Sequence, residues 1–236
     1  MSLLQSSDRP KSMKQENLPL GWIVLSLIAF LAGVILLGYT SPHVSWLRVT
    51  LDRLFALNSE QSMWYLTRAA GITSYLLLWL STIWGLAVSS KILDNLLHRT
   101  FAFDFHQFIS LLSLGFLALH ILVLSADRYM PYSLAQIFIP FLSPYRPLWV
   151  GVGVIALYLT GLVTVTFYLR QRIGMQVFRY IHFSSLLAYL GATAHGFFSG
   201  TDTPLLMALL MYFFTFIVFV FFTVYWLYLV RTKAPT

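Results

Sequence analysis

The sequence predicts an all-α integral membrane protein, a bundle of six transmembrane helices with both termini in the cytoplasm. Three observations support this fold class. Of the 236 residues, 58% are hydrophobic and 10% are charged, whereas soluble domains carry about 25% charged residues. The hydrophobic residues are collected into six long stretches, and the basic residues lie mostly in the segments on one side of them.

Each stretch is close to the roughly 20 apolar residues that a membrane-crossing helix needs. They are Trp22–Tyr39, Trp64–Val88, Phe105–Ser125, Leu148–Leu169, Val177–Phe198 and Leu205–Val230. The first is short and resembles a signal-peptide core, but no small-x-small cleavage site follows it, so we interpret it as a retained anchor helix. One membrane domain is predicted over residues 22–230, between a polar tail at 1–21 and a short tail at 231–236.

The basic residues indicate the orientation, because cytoplasmic loops of membrane proteins are enriched in Lys and Arg. Ten would lie in the cytoplasm: Arg9, Lys11, Lys14, Lys91, Arg99, Arg170, Arg172, Arg179, Arg231 and Lys233. Five would lie on the outer side: Arg48, Arg53, Arg68, Arg128 and Arg146. The net charge of +7 is thus explained by topology and does not indicate a nucleic-acid partner. On the outer side, the stretch LAQIFIPFL is expected to form a short helix lying flat on the surface.

Four histidines lie within two of these stretches at nearly matched spacing. His106 and His120 are 14 residues apart, and His182 and His195 are 13 apart. Ionisable side chains at bilayer depth are costly and persist mainly where they face a ligand, a partner or water. Both stretches run outward from the cytoplasm, so His106 shares a depth with His182, and His120 shares one with His195. A rise of 1.5 Å per residue separates the two levels by roughly 20 Å, which puts one pair near each leaflet.

Two facing imidazoles suit a haem, because haem iron has two axial positions and imidazole is a common axial ligand. With both positions filled, such a centre transfers electrons and leaves no site for O₂. The helical angles fit less well, since 14 residues return within ~40° of the starting face but 13 residues miss it by ~140°. The second of the two helices would therefore need local tightening, a bend near Gly191 or rotated haem planes.

Three alternative roles for the histidines fit the sequence less well. Zinc or copper would have an incomplete ligand set with two histidines per level. The four histidines could instead be polar core residues of a structural membrane subunit. A proton-relay transporter is expected to carry further intramembrane Asp or Glu, whereas all eight acidic residues fall in loops or near helix ends. The chain has no Cys, so a haem would not be covalently attached.

With their surroundings, these histidines resemble the ferric reductase-like transmembrane domain family, which also forms the membrane part of NADPH oxidases. The resemblance covers Met63 to Thr203 and rests on His-x13-His, His-x12-His and the segments WYLTRAAGITSYLLLWLS, DRYMPYSLAQIFIPFLSPYRPLWVGVGVIALYL and HGFFSGTD. It implies a six-helix bundle that binds two b-type haems, the inner one through His106 and His182 and the outer one through His120 and His195. It also implies electron flow from the cytoplasm outward, in a chain of the bacterial inner membrane.

The chain departs from the larger family members in its lack of a donor domain. Those members continue into a cytoplasmic domain for FAD and nicotinamide, whereas this chain has no G-x-G-x-x-G motif and no α/β pattern. We therefore expect an oxidoreductase-type subunit whose donor is a separate flavoprotein or membrane quinol, with any flavin on that partner. The acceptor would lie on the outer face. One candidate assignment is the haem subunit of a periplasmic methionine sulfoxide reductase system.

Supporting residues are expected around the two haems. Haem propionates are anionic and favour cations, so Arg68 is a candidate for the outer haem and Arg179, almost one turn before His182, for the inner one. Five glycines are interpreted as helix-packing residues: Gly71, Gly85, Gly151, Gly153 and Gly161.

Overall fold

The computed structural model describes residue 33 and residues 61–94, 96–127 and 129–232. Six helices follow one another from residue 62 onward: α1 (Ser62–Ser89), α2 (Arg99–Ala126), α3 (Leu134–Phe138), α4 (Pro147–Ile173), α5 (Met175–Ser199) and α6 (Leu206–Thr232). No strand occurs in the described part of the chain, which confirms the all-α class for it. Apart from residue 33, the predicted helix at 22–39 and the tail at 1–21 lie outside the described residues.

Four of the helices, α1, α2, α4 and α6, are long and apolar enough to cross a membrane. This finding indicates a multi-pass membrane protein. Helix α5 has a comparable length of 25 residues, but its histidines, Arg179 and several serines and glycines make it less apolar. Large apolar side chains on the outward faces remain exposed, for example Leu122 at 65% and Phe213 at 64%. Such faces are expected where lipid tails, rather than water, surround the bundle.

Hydropathy alone does not locate the ends of α2 and α3. Helix α2 begins at Arg99 instead of Phe105, because the polar residues there lie beyond the apolar stretch but still form helical hydrogen bonds. Helix α3 covers only the first part of LAQIFIPFL. It begins at a capping box in which the side chains of Ser133 and Gln136 each accept a hydrogen bond from the other's backbone N–H.

Helices α4 and α5 are separated by a single glycine. Helix α4 starts with Pro147, whose fixed φ suits the first helical position, directly after Arg146 in the left-handed region at φ 43°. It ends before Gly174, whose φ of 85° is a conformation that L side chains rarely adopt. Helix α5 then runs without a break from Met175 to Ser199, so it carries its two histidines on one continuous helix.

The long helices form two antiparallel hairpins. Helix α1 packs extensively along α2, and α4 packs extensively along α5. Helix α1 also contacts α5 and α6, which joins the two hairpins. The two helices that carry the histidines, α2 and α5, have at most slight backbone contact with each other over the described residues. Space for a ligand is therefore left between the hairpins.

A tyrosine cluster joins α1, α5 and α6 in the core. Tyr75, Tyr189, Tyr212 and Phe219 are buried against one another. The Tyr75 hydroxyl lies 2.6 Å from Thr215 Oγ1 and 3.4 Å from the Tyr189 hydroxyl. These hydrogen bonds satisfy polar groups that lipid could not, and they tie α6 to the rest of the bundle.

Candidate functional site

The structure brings His106 of α2 and His182 of α5 together. Their ring centroids are 6.1 Å apart and their planes are inclined by 76°. Both rings line one cavity, hereafter the inner cavity, together with Ser81 and Gly85 of α1. An imidazole nitrogen lies about 2 Å from a bound metal and about 1 Å from its own ring centre, so two imidazoles on opposite sides of one ion have centroids about 6 Å apart. The observed separation matches that value.

The other two histidines, His120 of α2 and His195 of α5, line a second cavity, hereafter the outer cavity. His120 Nδ1 lies 2.8 Å from the carbonyl oxygen of Thr67, and His195 Nδ1 lies 3.0 Å from that of Trp149. A carbonyl only accepts hydrogen bonds, so in both rings Nδ1 must carry the proton. The lone pair is then on Nε2, which is the tautomer that binds a metal when Nδ1–H is held by a carbonyl.

The Nδ1 atoms of the two inner histidines are less well hydrogen-bonded than those of the outer pair. Ser110 donates to the His106 carbonyl at 2.7 Å, so its oxygen accepts from the Ser81 hydroxyl at 2.6 Å. The Ser81 oxygen is then left to accept from His106 Nδ1–H, at the longer distance of 3.5 Å. His182 Nδ1 is buried and has no hydrogen-bond partner among the described residues. Both arrangements are compatible with Nε2 as the metal-binding atom.

Three glycines lie directly against three of the histidine rings. A Cβ at Gly71 would be 2.9 Å from His120 Nδ1, and one at Gly85 would be 3.1 Å from His106 Cε1. A Cβ at Gly153 of α4 would be 2.5 Å from His195 Nδ1. The space that each glycine leaves is therefore filled by an imidazole of the neighbouring helix.

This role of the glycines was missed in the sequence, although a signal was present. Gly71 and Gly85 are 14 residues apart, the same spacing as His106 and His120 on the antiparallel partner helix. Gly161, by contrast, has no neighbour within 4 Å of its Cβ position in the part of the chain that the structure describes.

The two cavities are much larger than a bare metal ion requires. Their volumes are about 240 Å³ for the outer and 130 Å³ for the inner cavity, room for roughly 8 and roughly 4 water molecules respectively at about 30 Å³ each. Leu78 and Thr160 line both cavities, so a thin wall separates them. The 13-residue histidine spacing thus serves two stacked cavities without a break in α5.

Protein ligands for a free metal ion are too few at either level. Over the described residues, no group of three or more His, Cys, Asp or Glu side chains could hold an ion. A metal at either level would need ligands beyond the two imidazoles, and a macrocycle is one group that would supply them. Two imidazoles, a protonated Nδ1 on each outer ring and a large, mostly apolar cavity fit a haem.

Arg68 lines the outer cavity and is paired with Asp202, which follows α5. Its Nε donates to Asp202 Oδ2 at 2.8 Å, and its terminal nitrogen contacts the other carboxylate oxygen. Arg179 is exposed on α5 and is not among the described residues that line the inner cavity. His98 precedes α2 and is exposed, and His43 lies outside the described residues.

The residues just before α4 and in its first turn fasten the outer end of α5. Tyr145 donates to the carbonyl of Ser199 at 3.2 Å, and Arg146 donates to the carbonyl of Phe198. These groups satisfy carbonyls in the last turn of α5, which have no partner within the helix. Trp149 stacks on Phe198 with ring centroids 3.9 Å apart, and its carbonyl holds His195, so this segment positions the outer histidine. Sequence reasoning did not identify this role, because it depends on contacts between distant segments.

Comparisons of the chain with known protein families, curated proteins and solved structures find no match.

Proposed function

We propose that this chain is a di-haem b-type transmembrane electron-transfer protein. It would take electrons from a cytoplasmic or quinol donor and deliver them to an acceptor on the outer face. The observation that carries this proposal is the presence of two cavities, each lined by one histidine from α2 and one from α5. A single pair could be a polar core contact, but two pairs facing large cavities favour two cofactors.

The residues of the chain hold, orient and shield the cofactors. When bound, haem would supply an iron that alternates between ferric and ferrous states, and the imidazoles of α2 and α5 would hold it. Neutral imidazole suits an apolar site because it adds no charge. Carbonyls of Thr67 and Trp149 orient the outer rings, and the apolar walls exclude water. Leu78 and Thr160 line both cavities, so little protein would separate the two cofactors.

Charge asymmetry supports the proposed orientation in the membrane. Described cations cluster at the end of the bundle nearer the inner cavity: Lys91, Arg99, Arg170, Arg172, Arg179 and Arg231. By the positive-inside rule this end is cytoplasmic. The proposal therefore includes six spanning helices, cytoplasmic termini and the bacterial inner membrane. A separate flavoprotein or quinol is the proposed donor, and Arg68 is the proposed partner of an outer propionate.

Purification in detergent tests the proposal directly. The protein should be red, with a dithionite-reduced b-type spectrum and about two haems per chain. Substitution of His106 or His195 by Ala should remove about half of the haem, and added imidazole should restore it. His98→Ala is the matched control, because His98 is exposed at a helix start. Colourless protein, or full haem content in both cavity variants, would refute the assignment.

A further inference from the structure

The inner cavity reaches the surface of the bundle on one side. Every described residue that lines it belongs to a long helix, so access to it lies between helices. Among these lining residues only Ser89 of α1 and Phe183 of α5 are exposed. Both contact α6, which over the described residues has only slight backbone contact with α5. The cavity therefore opens sideways, where α1, α5 and α6 meet near their inner ends.

Trp226 of α6 spans this opening. Its indole Nε1 donates a hydrogen bond to Ser89 Oγ at 3.0 Å, and its ring centroid lies 5.3 Å from that of Phe183. A tryptophan near a membrane surface commonly directs its N–H toward headgroups or water. Here the N–H is directed toward α1, so the indole bridges the two exposed residues of the cavity lining.

This side chain also holds the inner part of α6 to the other helices. Tyr212, Thr215 and Phe219 tie the preceding part of α6 to the core. Beyond Phe219, Trp226 alone makes a side-chain hydrogen bond or ring contact with another helix in the described part of the chain. Displacement of the indole would break one hydrogen bond and one ring contact, neither of which involves a histidine.

We propose that Trp226 and Ser89 form a gate that admits haem to the inner site from the cytoplasmic half of the bilayer. This inference rests on the proposed function. Haem is flat and mostly apolar, so it partitions from water into lipid. Around the gate, α5 and α6 present exposed apolar side chains that suit contact with lipid, among them Leu187 at 61% and Val224 at 59%.

The gate should serve the inner site alone. The outer cavity has a different boundary, because Tyr132, Gln136 and Tyr145 from the segment between α2 and α4 line it. Its access is therefore expected from the outer face, and a change at Trp226 should not affect it.

Transfer of haem to excess apomyoglobin, followed by absorption spectra, tests the proposal. Entry and exit follow the same path, so the rate of release reports on the gate. Release is measured in a His195→Ala background, which retains the proposed inner haem, and in a His182→Ala background, which retains the proposed outer one. Trp226→Phe keeps an aromatic ring but loses the N–H donor. It should speed inner release roughly 2- to 10-fold, the factor that one hydrogen bond contributes, and leave outer release unchanged.

Tyr225→Phe is the control for this substitution, because Tyr225 precedes Trp226 on α6 and is not among the described residues that line the inner cavity. It should change neither rate.

A pair of cysteines tests the gate in the opposite direction, with all four histidines present. The chain has no cysteine of its own, so Ser89→Cys combined with Trp226→Cys places one thiol on each side of the opening. A short reversible thiol crosslinker should slow the release of one of the two haems, and a reductant should restore the faster rate.

The inference is overturned if Trp226→Phe releases the inner haem no faster than Tyr225→Phe does, if it speeds outer release equally, or if the crosslink slows the release of neither haem. In each of these results haem is bound and the proposed function stands. Protein that binds no haem overturns both proposals.

Discussion

Replacement of Gly153 by alanine should damage the outer site specifically. A Cβ at this position would lie 2.5 Å from Nδ1 and 2.6 Å from Cγ of His195. Neither contact is with the end of a flexible chain, because the ring is held between α4 and α5. The imidazole would have to move away from the Trp149 carbonyl that holds it.

Three effects determine how strongly Gly153→Ala should destabilise the protein. Alanine favours a helix over glycine by about 1 kcal/mol. Overpacking costs about 1–3 kcal/mol, and loss of the hydrogen bond from a buried Nδ1–H costs about another 1–3 kcal/mol. The net destabilisation is about 1–5 kcal/mol, combining these ranges. A ligand displaced at a cost of only about 1.4 kcal/mol already loses tenfold in affinity.

Gly161→Ala is the matched control, on the same helix and with no atom of the described residues within 4 Å of its Cβ position. It should be neutral or stabilising by up to about 1 kcal/mol. The measurements are thermal unfolding in detergent and the ratio of haem to protein. Gly153→Ala should lower the midpoint temperature and lose the outer haem first, while Gly161→Ala should do neither. Equal behaviour of the two variants would refute the placement of His195 against α4.

Four further substitutions give three separate tests. In Gly85→Ala the new Cβ would lie 3.1 Å from His106, so this imidazole should shift. The ratio of haem to protein should then fall because the proposed inner haem is lost, while the spectrum of the proposed outer haem persists. Loss of the outer haem spectrum alone would contradict this. Asp202→Asn should lower the free energy of unfolding by less than about 1 kcal/mol, because the two side chains of its ion pair with Arg68 are 21–30% exposed. If Arg68 also binds a propionate, Arg68→Gln should weaken outer haem retention more than Asp202→Asn does, and equal haem loss would argue against that role. Tyr75→Phe should lower the free energy of unfolding by about 0.5–1.5 kcal/mol through its lost hydroxyl bond to α6, and an unchanged thermal midpoint would contradict it.

The long helices were predictable because hydropathy reports directly on burial in lipid. The stretch Trp64–Val88 corresponds to α1 at Ser62–Ser89, and Leu205–Val230 corresponds to α6 at Leu206–Thr232. Agreement is poorer at the start of α2, where a helix continues past the apolar region. The apolar residues end where lipid gives way to water, but the backbone hydrogen bonds of the helix continue beyond that point.

The outer loop was less predictable. Helix α3 is only Leu134–Phe138, because its length depends on the Ser133 cap and the nearby Pro140 more than on apolar content. The hydrogen bonds from Tyr145 and Arg146 to the end of α5 have no signal in the sequence. They join side chains to carbonyls that lie 54 and 52 positions away along the chain.

Sequence alone determined that this chain is helical, that most of its helices suit a membrane, and that four histidines stand at two matched levels. Each of these follows from transfer of side chains into lipid and from the fixed rise of a helix. Only the tertiary structure decided which groups surround each imidazole: Gly153 and a carbonyl for His195, Ser81 for His106, and, over residues 61–94, 96–127 and 129–232, no acceptor for His182 Nδ1. The reason is that lipid accepts every apolar face of a helix equally, so the rotation of each helix about its axis is set by packing against its neighbours.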